Sequence, residues 1–492
     1  MEINSDWTSW TVFSDARPIA KTATVRVSMI SLHLFQGKFG VLYRYGRFFR
    51  MLFCGVIGLG LFHFCGCVTP HNSFERNRVS RDLEKRTGHP LLQTRSSVPM
   101  IPGSVVPEVG LSESDAVTLA LWNNPAYEEL LCDLGLSHAD VLDAHQLKNP
   151  DVSVLFPLGP KQWEFAVNVP LDSIVLRSAR LELAISRSQQ VGNRVVQDSL
   201  NFVRDVRVAH SDLLLAQEQL DNAESRYQLL EKINKISESR WAAGTTGELD
   251  VMTTRIELQS AHERLERAGY DVQNAQDRLK TLMGLTFLDI IVVAVEKAQL
   301  IYVAANGEDL VTVALQSRPD IWAAQYAHQA ASRQADLVKW DFISTTGIVS
   351  GKQNGQQIGP GLAMTLPVFH WNGASKYRAA EELKKTCYHW EALRQQVALD
   401  VRTTYTRMEQ AEHSWNRWTN ELIPAAEEAV RTSENAYRSG GDYLLLMLHH
   451  SRQLLDAELK KAEAAAELRK SIAELERSVG SVVVGPQEAI GF

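Results

Sequence analysis

The chain has 492 residues, with 51 Lys and Arg against 58 Asp and Glu and a formal net charge of −7. That balance gives no electrostatic footprint for nucleic acid, and no basic stripe runs along the chain. Glycine and proline contents are ordinary, which excludes a broadly disordered chain, and the length suits two or three compact domains or one elongated one. Residues 1–50 do not look like a targeting signal, so Met29 is an alternative start to Met1.

An apolar stretch follows from Met51 to Val68, preceded by Arg44, Arg47 and Arg50. A basic region, an apolar region and small residues near a cut site describe a secretory signal. The stretch closes with Phe64-Cys65-Gly66-Cys67 and then turns polar. Glycine before cysteine resembles a bacterial lipobox, in which Cys67 is acylated and becomes the mature N-terminus. Leu61 lies further upstream than usual, and Phe64 takes the usual aliphatic place. Ordinary cleavage and a retained anchor stay open as alternatives, since the stretch is borderline against the ~20 apolar residues a spanning helix needs. With Cys67 as anchor, residues 68–108 read as a polar tether held extended by Pro70, Pro90, Pro99, Pro102 and Pro107. Cys132 and Cys387 stand alone in helical patterns and read as small buried residues.

From residue 112 the chain states one pattern twice. Asp115-Ala-Val-Thr-Leu-Ala-Leu-Trp-Asn-Asn-Pro125 returns as Asp309-Leu-Val-Thr-Val-Ala-Leu-Gln-Ser-Arg-Pro319, 194 positions on. Asn168-Val-Pro170 returns as Thr365-Leu-Pro367, and Arg240-Trp-Ala-Ala-Gly244 as Tyr437-Arg-Ser-Gly440, 197 and 196 positions on. Three landmarks in one order at near-constant spacing mark a duplicated architectural unit. Each copy opens on a capping-box-like start, Ser112 with Asp115 and Asn306 with Asp309. A single helix is expected from each, to about Leu147 and about Trp340.

Asn149-Pro150 ends the first of these helices. Period-two alternation follows: Val152, Val154 and Phe156, then Trp163, Phe165, Val167 and Val169, around a turn at Pro157–Pro160. The second copy matches with Phe342 to Ser350, a loop Gly351–Gln357, and Leu362, Met364 and Leu366. Each unit therefore holds one β-hairpin, about 151–169 and about 342–366. Long helices follow, about 173–241 and 374–438. Val206, Leu213, Leu220 and Tyr227 step by seven, as do Val401, Met408, Trp415 and Leu422, which argues for coiled-coil packing. Pro424 predicts a bend or short break in the second. Tip turns fall at Gly244 with Gly247 and at Gly440 with Gly441, and returning helices run over about 248–284 and 443–479. A helix of ~68 residues spans ~100 Å, so two shorter helices stacked end to end lie alongside each long one.

A lone hairpin is marginal in water, whereas three copies of this chain supply twelve strands, a workable transmembrane barrel. The body from about residue 110 to 480 resembles the TolC-type outer membrane factor family, lipoprotein subtype. The resemblance is carried by Leu119-Ala-Leu121…Asn124-Pro125, Val313-Ala-Leu315…Arg318-Pro319, Leu147-Lys-Asn-Pro150, Val169-Pro170-Leu171, Leu366-Pro367-Val368, Gly244-x4-Leu249-Asp250-Val251, Gly440-x3-Leu444 and Leu422-Ile-Pro424-Ala-Ala. It implies a mainly α fold with a transmembrane β-barrel contribution, a homotrimer forming a 12-stranded barrel in outer membrane lipid, and an α-helical tunnel. It also implies a passive exit duct for efflux or type I secretion, with a periplasmic adaptor and an inner-membrane pump of RND or ABC type as partners.

The segments are then 1–67 (extension and signal), 68–108 (tether), 109–284 (repeat one), 285–305 (equatorial connector), 306–480 (repeat two) and 481–492 (tail). Several relatives carry two aspartates three residues apart at the inner tip. Here those positions fall on Leu446 and His449, while repeat one keeps Asp250, so these three are the expected periplasmic gate residues. His449 and His450 point about 100° apart on a helix and cannot chelate one metal together, and no metal or cofactor is expected. No GxSxG, HExxH, Walker loop or GxGxxG lies in a fitting context, which argues against an enzyme. The rival reading is a lipid-anchored periplasmic adaptor or coiled-coil scaffold. Adaptors usually pair one helical hairpin with β-rich domains, whereas this chain has two equivalent helix sets.

Overall fold

The computed structural model describes residues 74–92, 98–103, 105–156, 164–296, 306–340, 344–352, 359–366, 368–369, 371–438 and 444–483. Cys67, Gly440, Gly441 and both hairpin turns lie outside the described residues. The chain divides after Val68, and every described residue belongs to the second unit.

That unit opens on α1 (Arg76–Thr87), where an extended tether was expected. Val79 and Leu83, one turn apart, are wholly buried, and Phe74 is buried with them. The apolar stripe is only two residues wide, so the segment's composition reads as polar. Arg76 clamps the helix to the body through Glu128, and its Nε donates to the Leu92 carbonyl at 2.8 Å. Phe74 fills the space above Gly192, where a Cβ would stand 2.1 Å from Cγ of its ring.

The expected first helix is two, α2 (Glu113–Asn123) and α3 (Pro125–His145). Pro125 bars helical geometry in the residue before it, and Asn124 is extended at φ −68°, ψ 122°. Its side chain then caps α3, accepting from the amides of Ala126 and Tyr127 at 2.8 and 3.0 Å. Ser112 caps α2 by accepting from the Asp115 amide at 3.3 Å. After β1 (Asp151–Leu155) and β2 (Glu164–Pro170), the short α4 (Leu171–Val175) leads into α5 (Arg177–Ala242), 66 residues long. At 1.5 Å per residue it spans about 100 Å. The returning helix α6 (Glu248–Leu282) packs along it.

The second copy repeats the order: α7 (Gly307–Ser317), α8 (Pro319–Val338), β3 (Thr345–Lys352) and β4 (Gly359–Met364). Arg318 breaks α7 from α8 as Asn124 does above, but Asn306 makes no side-chain cap, unlike Ser112. Then come α9 (Gly373–Arg417), a π-helical turn (Trp418–Leu422), α10 (Ile423–Arg438) and α11 (Leu444–Val479). The interruption expected at Pro424 takes the form of that π turn, just N-terminal to a ring that has no amide to donate. Of the heptad positions, Val206, Leu213, Val401 and Met408 are buried, whereas Leu422 is exposed. The main cores form one around α1, α2, α3, α5 and α6 and another around α7, α8, α9 and α11. In the connector, Leu111 pairs in parallel with Ala294, and Leu285 and Val292 are buried.

The repeats also share contacts. Arg207 pairs with Glu113, and Arg402 with Glu308, the same separation of 94 residues in each. The Asn124 amide donates to the Leu282 carbonyl at 2.8 Å, and Arg318 Nη1 to that of Ser478 at 2.9 Å. Each returning helix then ends at a glycine in the left-handed region, Gly284 at φ 68° and Gly480 at φ 83°. A Cβ at Gly284 would stand 2.5 Å from the Asn123 carbonyl oxygen. Gly284→Ala is therefore expected to destabilise the protomer by at least about 2 kcal/mol, since left-handed backbone alone costs ~1–2. Gly269→Ala, in open space on α6, should instead stabilise by up to ~1 kcal/mol. Denaturation curves of the two variants check the opposite signs.

Candidate functional site

The two hairpins join into one antiparallel sheet of order β1-β2-β3-β4. Opposed residues share a face, so the register sorts every side chain. Val152, Val167, Val349 and Pro360 lie in one row, Val154, Phe165 and Gly351 in the next, then Val169, Gly347 and Leu362, and finally Thr345 with Met364. The other face carries Asp151, Asn168 and Ile348, then Ser153, Ala166 and Ser350, then Leu155 with Glu164, and Pro170, Thr346 and Ala363. One face is thus almost wholly apolar and the other mixed. The apolar face is uncovered in the protomer: Val152 is 66 % exposed and Leu362 65 %. β1 and β4 each pair on one side only, leaving unpaired backbone groups along both edges. Such an edge invites another strand, and an apolar face of this extent marks a contact with membrane or partner. The described strands have 5 to 8 residues, short of the ~9–11 a membrane strand needs.

At the opposite end of α5 the chain turns through Gly244 at φ 70°, whose amide reaches the Trp241 carbonyl at 2.9 Å. Gly247 caps α6, and the Asp250 carboxylate accepts from the Thr246 hydroxyl at 2.5 Å and the Gly247 amide at 3.4 Å. Asp250 therefore builds its own turn. On α11, Leu446 and His449 are exposed and nearly one turn apart, while Leu448 between them is buried against Leu230, Ile233 and Ala261. His450 Nδ1 lies 3.2 Å from the Ala429 carbonyl, to which its N–H donates. Among the described residues no hydrogen bond or ion pair joins Asp250 to His449.

Two features carry no distinct sequence signal. Leu249, Met252 and Ile256 form an exposed stripe at the start of α6, 74, 51 and 70 % accessible. Their i, i+3, i+7 spacing is also that of a core-facing helix, so only the structure separates the two. The other is a charged cavity beside α2, α5 and α11, where Arg207 is half-buried between Glu113 and Glu476. Burial opposes its charge, but the two carboxylates outweigh it and raise its pKa. His210, buried there with Nε2 2.9 Å from the Leu111 carbonyl, has its pKa lowered chiefly by burial. Cys132 and Cys387, expected to be buried, are exposed. No described helix is long and apolar enough to cross a membrane.

A body of long paired helices bearing one open, one-sided apolar sheet is the architecture of a TolC-type channel protomer. The chain belongs to the outer membrane efflux protein family, whose model matches residues 151–285 and 310–481. It is similar to the pyoverdine export outer membrane protein OpmQ of Pseudomonas putida, 24 % identical over 283 residues covering 54 % of this chain and 57 % of that one. It is also similar to nodulation protein T of Rhizobium leguminosarum bv. trifolii, 22 % identical over 299 residues covering 57 % and 63 %. The chain thus spans less than two thirds of either relative's length. Its fold matches the solved outer-membrane channel OprN at a TM-score of 0.63, with 17 % identity over 85 % of this chain and 99 % of that one.

Proposed function

We propose that this protein is the outer membrane exit duct of a tripartite efflux or type I secretion system. Three protomers join β4 of one to β1 of the next, close a 12-stranded barrel in outer membrane lipid and form a helical tunnel across the periplasm. The observation that carries this reading is the sheet register, which gathers most of the large apolar side chains on one face and leaves both edges open. A closed barrel is the only β form that satisfies every backbone group in lipid. In this reading residues 109–284 and 306–480 are the two wall units, 285–305 is the belt between them, and Cys67 carries the lipid anchor. A periplasmic adaptor docks at the tips, where Leu249, Met252 and Ile256 are exposed, and an inner-membrane pump supplies the energy. An adaptor or scaffold role is disfavoured, because it gives the uncovered sheet face nothing to contact.

Purified trimers in planar bilayers test the duct directly: discrete ion conductance is expected, with a heat-sensitive trimer on gels. A monomer without conductance overturns the reading. In the same trimer, Leu446 and His449 of three chains ring the inner tip. Conductance should rise when that ring is widened by Leu446→Ala or His449→Ala, because an apolar constriction gates a pore by excluding water. Unchanged conductance in both variants removes these residues from the gate.

A further inference from the structure

The two repeats lie side by side, with α5 between α3 and α8, and α8 between α5 and α9. One flank of α3 and one flank of α9 are therefore left without a neighbour. The join between the repeats shows what each free flank lacks. There, Leu183 of α5 and Ala330 and Leu337 of α8 form a small buried apolar cluster. Val206 and Leu213 correspond to Val401 and Met408, 195 positions on, and Pro125 to Pro319, 194 positions on. By that register the counterpart cluster is Arg378 on α9 against Leu136 and Asp143 on α3 of the next copy. Leu136 is 66 % exposed in the protomer. Arg378 and Asp143 are exposed too, and among the described residues neither has an ion-pair partner. An apolar pair inside the chain is thus matched by opposite charges facing each other between chains.

The same register aligns the two lone cysteines. Cys387 corresponds to Gly192 on α5, and Cys132 to Tyr326 on α8. Arg187 bonds to Gln334 across the join, and Arg333 to Ser186. Counting five or six residues along these antiparallel helices brings Gly192 level with residues 327–329, within about 5 Å of Tyr326 along the axis. A side chain at 192 would enter the space they share: its Cβ would stand 2.1 Å from the ring of Phe74, which lines one cavity with Tyr326. Over α9 no described segment takes the place of α1, so the counterpart space is open to both thiols. Free cysteine is usually buried, and exposed thiols do not persist in an oxidising periplasm. We infer that Cys387 of one copy and Cys132 of the next form a disulfide across the seam between protomers. This inference rests on the trimeric duct reading. The bond forms by exchange with a disulfide-bearing thiol oxidant. One thiolate attacks a sulfur of the oxidant to give a mixed disulfide, and the second displaces the oxidant from it. The oxidant leaves as two thiols, which carry away the two protons. Within one copy the bond cannot form, because α5 and α8 stand between α3 and α9.

The test is incubation of purified full-length trimers with glutathione disulfide, then boiling in detergent and electrophoresis without reductant. Covalent dimers and trimers are expected, returned to monomer by dithiothreitol, with the Cys132–Cys387 peptide identified by mass spectrometry. Cys132→Ser and Cys387→Ser should each reduce that ladder at least tenfold while leaving the unboiled trimer intact. Coexpression of the two variants should give covalent dimers but no covalent trimers, because every mixed ring then holds a single complete pair. A ladder retained in either variant overturns the pairing. Trimers that yield no ladder also overturn it and leave the duct reading standing, whereas a protein that never forms trimers removes both.

Discussion

Val349→Lys is expected to abolish recovery of trimers from the outer membrane, while Ser350→Lys one residue further leaves them intact. Both positions are exposed on β3. Val349 lies between Val167 and Pro360 on the apolar face, whereas Ser350 stands opposite Ala166 on the mixed one. A lysine on the lipid face costs roughly 2–4 kcal/mol near the bilayer midplane. In the proposed trimer three such charges share one barrel, a total on the order of 6–12 kcal/mol, comparable with the ~5–15 kcal/mol of a whole domain. On the lumen face the same lysine remains in water. Semi-native gels of outer membrane extracts read the difference. Equal loss in both variants would mean that the sheet has no lipid-facing side, and equal tolerance would mean that it is not in the membrane.

The contrast between neighbouring residues shows where the sequence was informative. Period-two alternation marked the hairpins and named their apolar residues, because strand geometry converts sequence parity directly into sidedness. It did not reveal that β2 pairs with β3, since that register joins residues almost two hundred positions apart and depends on the long helices that return the chain. The helices were legible through heptads and glycine turns, but their breaks were underestimated. Asn124-Pro125 and Arg318-Pro319 lie within strongly helical composition, and the local effect of each proline on its predecessor prevailed. The segment 76–87 failed for the opposite reason: two buried residues, Val79 and Leu83, suffice to dock a helix when a groove on α5 receives them. At the tip, Asp250 stood out by position, yet its carboxylate is occupied in capping α6. That duty is compatible with lining a pore but gives the residue a structural reason to be there.

Arg318→Ala is expected to cost about 3 kcal/mol, the low end for breaking a buried ion pair. The side chain is 6 % exposed and holds Asp320 through Nε and Nη2 at 3.0 and 2.6 Å. Nη1 reaches Asp400 at 3.2 Å and the Ser478 carbonyl at 2.9 Å, and Arg477 shares Asp400 at 3.2 Å. One residue thus fastens the break between α7 and α8 to the end of α11, work that repeat one assigns to the neutral Asn124. Removing the guanidinium strands Asp320 and leaves the Asp400–Arg477 pair without its second cation. The two aspartates are 21 and 29 % exposed, so water relieves part of the penalty and the low end is appropriate. Arg318→Lys should recover less than half of the loss, because an ammonium cannot reproduce the two-pronged contact with Asp320. Arg318→Ala combined with Asp400→Ala should be less damaging than the sum of the single changes, as expected for residues in one network. Denaturation of the purified protein measures all four values. Strict additivity would show that Asp320 and the Ser478 carbonyl, not Asp400, account for the stabilisation.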